Sequence, residues 1–68
     1  MPELTLNGER RSLPDTLATL ADLMAHLGYA GKRVAVEKNG DIVPRSRYAA
    51  TSLASGDALE IVVAVGGG

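Results

Sequence analysis

The sequence predicts an α+β domain: a mixed sheet of four to five strands with one main helix packed on one face. Three observations carry this. Two Asn-Gly pairs, Asn7-Gly8 and Asn39-Gly40, each sit between short extended segments bearing apolar residues. One stretch, residues 15–28, places apolar residues at helical spacing, and no other stretch sustains that period. The segment ALEIVVAV, near the end of the chain, is its most β-prone run and belongs at the centre of a sheet.

The first hairpin is ELTLNGERRSL. Leu4 and Leu6 alternate with polar residues, and Asn7-Gly8 supplies the positive φ angles of a two-residue turn. Arg10 and Arg11 lie on the return strand, where charge blunts an edge. Leu13 resumes the apolar face and Pro14 ends the strand. In DTLATLADLMAHLG, Leu20, Leu23, Met24 and Leu27 fall at i, i+3, i+4 and i+7, with Leu17 one turn earlier. Asp15 or Thr16 is the predicted N-cap, and Gly28 the predicted stop. RVAVEKNG reads as the next strand, with Val34 and Val36 on one face and a tight turn at Asn39-Gly40. DIVPR follows as a short extended piece that Pro44 confines to an edge or a strand end. SRYAATSLASGD has no period and reads as a loop with a helical turn, closed at Gly56-Asp57. In the last strand Leu59, Ile61 and Val63 share one face, and Val62 and Ala64 the other.

One helix with one apolar stripe covers one face of one sheet. The order β-β-α-β-(β)-β is the layout of a β-grasp, or ubiquitin-like, domain. It is expected over residues 1–65, with a flexible glycine tail at 66–68. The uncovered face carries Val62, Ala64 and Ala35. They read either as a modest docking patch or as ordinary strand residues.

Composition narrows the function. Sixty-eight residues make one small domain with a marginal core. There is no cysteine for a disulfide, and His26 is the single histidine, so no metal site is expected. Aliphatic packing must hold the fold, and 46% hydrophobic residues make that feasible. The net charge of -1 is spread without long blocks, which disfavours nucleic acid and a membrane surface as partners. No run approaches a bilayer span, and MPELTLNG lacks the basic and apolar regions of a signal peptide. A cytoplasmic location is expected.

Side-chain catalysis finds no support. Asp22 and His26, four apart on the helix, read as a surface pair rather than an acid–base dyad. The serines have no matching base, and the glycines spell neither a phosphate loop nor a dinucleotide fingerprint. Lys32, Arg33, Arg45 and Arg47 read as solvated surface, with a charge-complementary partner patch as the alternative.

The tail remains. Its bland reading is a frayed end. Its functional reading is chemical. An α-carboxyl with a pKa of about 3.3–3.7 is ionised at neutral pH. It can attack the α-phosphorus of ATP, and the resulting mixed anhydride can accept a sulfur nucleophile. Gly66, Gly67 and Gly68 have no Cβ and can thread a channel that side chains would block. Five residues from Ala64 to Gly68 span at most about 17 Å. Val65, Ala64 and Val62 would then line the contact with the partner.

LNGE, TLADLM, VAVEKNGDIVPR, SGDALEIV and the closing Gly67-Gly68 together resemble the sulfur carrier proteins of thiamine biosynthesis (ThiS). The resemblance covers essentially the whole chain, and VEKNGDIVPR is its most specific part. It implies a covalently modified carrier rather than an enzyme, with no bound cofactor. An adenylyltransferase of the ubiquitin-activating class would spend ATP to form a Gly68 acyl-adenylate. A persulfide from a cysteine desulfurase or sulfurtransferase would convert it to a thiocarboxylate. Thiazole synthase would take the sulfur into the thiazole ring. This chain has glycine at position 66, where that family often allows another small or apolar residue. The alternatives are a thiocarboxylate carrier for molybdopterin, cysteine or methionine synthesis, and a β-grasp binding module with no covalent role.

Overall fold

The computed structural model describes residues 3–64. Five strands form one sheet: β1 (Glu3–Leu6), β2 (Glu9–Ser12), β3 (Val34–Lys38), β4 (Asp41–Val43) and β5 (Ala58–Val63). The helix α1 spans Leu20–His26, and a 3-10 segment spans Arg45–Ala50. The strand order is β2-β1-β5-β3-β4. β5 runs parallel to β1 and antiparallel to β3, and the two hairpins close the edges. This is the predicted layout, with the most β-prone segment at the centre.

Both Asn-Gly pairs form the turns expected of them. Asn7 and Gly8 have φ of 50° and 84°, and Asn39 and Gly40 have 53° and 90°. Positive φ at both central residues matches the right-handed twist of the flanking strands. The edges are blunted as predicted. Every residue of β2, including Arg10 and Arg11, is exposed, and Pro44 follows the three-residue β4.

The core lies between the sheet and α1. Leu4, Leu6, Leu59, Ile61 and Val36 project from one sheet face onto Leu20, Leu23 and Met24. Leu13 and Tyr48 close the cluster, and Leu17, Leu27, Val34 and Val43 pack around it half-buried. Tyr48 comes from the 3-10 segment, so the helical turn expected there contributes a wall of the core.

The helix is shorter than its apolar period suggests, and its cap is neither Asp15 nor Thr16. Residues 18–20 spend their backbone groups on residues 51–53 instead. Leu20 N donates to Thr51 O at 2.8 Å, and Leu53 N to Ala18 O at 3.0 Å, with Thr19 bridged to Ser52. An extended bridge excludes helical dihedrals, so the helix begins after it. Thr19 is the N-cap, and its hydroxyl accepts from Asp22 N at 3.2 Å. Asp22 reaches back to Thr19 N at 3.1 Å, completing a capping box. Leu17 remains on the core without being helical. Gly28, at φ 81°, follows the last turn as predicted. Among the described residues no helix is long and apolar enough to cross a membrane.

Candidate functional site

The site that the sequence points to lies where β5 leaves the body of the domain. β5 is held on both sides. Against β3 it pairs from Lys38↔Leu59 to Val34↔Val63, and Ala64 N adds a bond to Arg33 O at 2.9 Å. Against β1 the ladder covers Thr5↔Ala58 and Leu6↔Leu59. Beyond it, the side chain of Asn7 extends the pairing. Its Nδ2 donates to Ile61 O at 3.0 Å, and its Oδ1 accepts from Ile61 N at 2.6 Å. A side-chain amide thus stands in for one more residue of strand. β5 is thus bonded on its β1 flank as far as Ile61 and on its β3 flank as far as Ala64.

The start of β5 is fixed by a second asparagine. Asn39 Oδ1 accepts from Ala58 N at 2.9 Å, and its Nδ2 donates to Asp57 Oδ1 at 3.0 Å. Asp57 is buried, and its other oxygen accepts from Ala54 N at 2.9 Å. Lys38 Nζ stands 3.7 Å from the same oxygen and donates to Ser52 O. No buried side-chain polar atom among the described residues lacks a partner. Asn-Gly signals a turn in the sequence, but nothing there says that either amide reaches across to β5. Asp57, read only as a turn residue, is the anchor of that turn.

Strand register separates the two sheet faces. Val62 lies on the face away from α1, opposite Ala35, and is 64% exposed. Ile42, opposite Glu37, is 77% exposed on the same face. These two are the exposed large hydrophobic residues among those described. Ile42 escaped the sequence reading because a three-residue strand shows no alternation. Ala64 is exposed just past the strand, tied only by its amide. Val65, Gly66, Gly67 and Gly68 lie outside the described residues.

The Asp22–His26 pair does not form. Asp22 Oδ2 accepts from the amides of Ala18 and Thr19 at 2.9 and 3.1 Å. The Ala18 amide first, then the Thr19 amide, hold its carboxyl below the usual range. Asp22 is therefore a helix-start residue. No group of three or more metal-ligating side chains occurs among the described residues.

Comparison with known proteins assigns the chain. The model of the ThiS family matches residues 4–68. The chain belongs to the ThiS family. It is 38% identical over 65 residues to the sulfur carrier protein ThiS of Bacillus subtilis, covering 96% of this chain and 98% of that one. It is 44% identical over 66 residues to a thiazole synthase of Paramagnetospirillum magneticum and 39% identical to one of Magnetococcus marinus. Those matches cover 97% of this chain, which spans 20% of the length of each thiazole synthase. The crystal structure of a thiamine biosynthesis protein (ThiS) from Geobacter metallireducens superposes with a TM-score of 0.80 at 32% identity, covering 97% of this chain and 99% of that one. The five-stranded sheet with its helix is thus the ubiquitin-like β-grasp of ThiS proteins.

Proposed function

We propose that this ThiS-family chain is a sulfur carrier of thiamine biosynthesis, and that the group it carries sulfur on is the α-carboxylate of Gly68. The observation that supports this best is the clamping of β5. Pairing with β3 runs to Val63, with Ala64 N bonded to Arg33 O, and the β1 flank is held as far as Ile61, so β5 is fixed up to the last described residue. Gly66, Gly67 and Gly68 then enter the nucleotide site of an adenylyltransferase of the ubiquitin-activating class, with Val62, Ala64 and Val65 against its surface. The carboxylate oxygen attacks the α-phosphorus of ATP and pyrophosphate leaves. The terminal sulfur of a cysteine persulfide, formed by a desulfurase or sulfurtransferase, attacks the acyl carbon and AMP leaves. A second thiol attacks the cysteine sulfur of the resulting acyl disulfide, forming a new disulfide and releasing the thiocarboxylate. Thiazole synthase accepts its sulfur.

This reading asks no acid, base or metal of the chain in these steps. The chain supplies a carboxylate, a narrow leader and a docking surface, and acts as a co-substrate. ATP is consumed by the partner, and the reading places the chain in the cytoplasm with that enzyme. Ordering each tail residue costs roughly 1–2 kcal/mol of backbone entropy, which favours release after one transfer.

Pyrophosphate exchange into ATP, measured with the adenylyltransferase of the same genome, tests the role of Gly68. Exchange is expected with the native terminus and is lost when one alanine is added after Gly68. Equal exchange by the extended chain would refute the assignment to Gly68, and no exchange with either terminus would favour a binding module with no covalent role.

A further inference from the structure

The uncovered sheet face presents a charge arrangement that the fold itself does not use. Glu37 and Glu60 are directly opposed on the antiparallel β3–β5 pair, and both are exposed. Like charges in that position destabilise a sheet. Arg10 is the one strand cation whose register puts it on this face, and it stands 3.4 Å from Glu3 at the β1–β2 edge. No ion pair or hydrogen bond among the described residues engages either carboxylate.

The nearest neighbours of the pair on this face are mostly apolar. Ile42 continues the row Glu60–Glu37 onto β4. Val62 and Ala35 form the next row toward the chain exit, and Ala58 opposite Thr5 the row behind. The two exposed large hydrophobic residues among those described therefore flank this carboxylate pair. We propose that this face is where the adenylating partner seats, and that the partner presents an arginine, set among apolar side chains, to Glu37 and Glu60 together. The inference rests on the carrier reading for the identity of the partner.

Distance and area support that occupant. Glu60 lies four residues before Ala64, about 13 Å along the strand. A stable interface covers about 800 Å² per partner, roughly 30 Å across. A protein that takes up the chain beyond Ala64 on this side must cover the carboxylate pair as well. Burying two opposed carboxylates without a cation is prohibitive. A guanidinium has five donors in a planar fork, enough to bond both carboxylates, and its faces lie well on apolar side chains. An ammonium offers neither property. The pair also acts against wrong partners, because an acidic surface is rejected.

Isothermal titration of the chain into the adenylyltransferase of the same genome, at low and high salt, tests this. The variant E37Q/E60Q keeps the shape of the face and removes its charge. It is expected to bind about tenfold or more weakly and to lose most of the salt dependence, while its own thermal midpoint stays equal to or above that of wild type. The variant E9Q/D41N removes the same charge elsewhere and is expected to bind as wild type does. Binding of E37Q/E60Q equal to wild type, equal weakening by E9Q/D41N, or no binding by wild type overturns the proposal. Intact mass after addition of ATP, a persulfide and a thiol is read on the same samples. Wild type that binds but gains no sulfur leaves the docking face standing and refutes the carrier reading instead.

Discussion

Asn7→Asp isolates the side-chain rung that holds β5 at Ile61 on its β1 flank. Aspartate matches asparagine in size, tolerates positive φ, and retains an oxygen to accept from Ile61 N. It loses the Nδ2 donor to Ile61 O and sets a carboxylate oxygen against that carbonyl at about the same place. One lost hydrogen bond is worth about 1 kcal/mol, and a part-buried acceptor left without a donor raises the cost to about 1–3 kcal/mol. For a domain of this size, that lowers the thermal midpoint by roughly 5–20 °C. The acid form restores an O–H donor, so the folded-state pKa of the new aspartate lies above its unfolded value. The deficit is therefore largest at neutral pH and shrinks as pH falls toward 4, the ordinary carboxylate range of about 3.9. Thermal unfolding across pH measures the cost. Amide exchange at Ile61, Val63 and Ala64 measures its location. A midpoint within about 2 °C of wild type at neutral pH, or loss of protection spread evenly over the sheet, would refute the view that Asn7 acts as a local rung.

Other outcomes follow from the same contacts. Thr19→Ala removes the N-cap hydroxyl and should cost about 1 kcal/mol by chemical denaturation. Asp22 has a folded pKa below its unfolded value, so its contribution is present above about pH 4 and fades as pH falls through the folded pKa. The midpoint difference between wild type and Asp22→Asn should accordingly close on acidification, and a pH-independent difference would exclude the charged cap. Leu20→Ala empties a fully buried position facing the sheet and should cost about 2–5 kcal/mol, enough to leave a large unfolded fraction in so small a domain. Gly67→Leu should leave the thermal midpoint unchanged and slow thiocarboxylation by on the order of a hundredfold, since a misplaced reacting group costs that much.

The elements that the sequence made legible are those decided locally. Asn-Gly forces two positive φ angles, so both tight turns could be read from four residues. The apolarity of ALEIVV marked β5 as central. The helix start was not legible, because period 3.6 carries no knowledge of residues 51–53, whose backbone claims that of residues 18–20. Asp22 was readable as polar, yet its role depends on where the helix begins. Asn7, Asn39 and Asp57 act across 18 or more residues of sequence, which no local pattern encodes. The opposed Glu37 and Glu60 were invisible for the same reason: only the β3–β5 register puts them face to face. At the candidate site, strand alternation correctly placed Val62 on the open face. The glycine tail drew its meaning from carboxylate chemistry and family resemblance, not from any fold constraint.

The central claim is covalent, and mass tests it most directly. The chain, with nothing appended at its C-terminus, is incubated with the adenylyltransferase of its own genome, ATP, a persulfide donor and thiol. Its intact mass is measured and the change located by fragmentation. The account predicts a gain equal to the exchange of one oxygen for one sulfur, confined to Gly68. An unchanged mass, with an enzyme shown to bind this chain and to hydrolyse ATP, would contradict it.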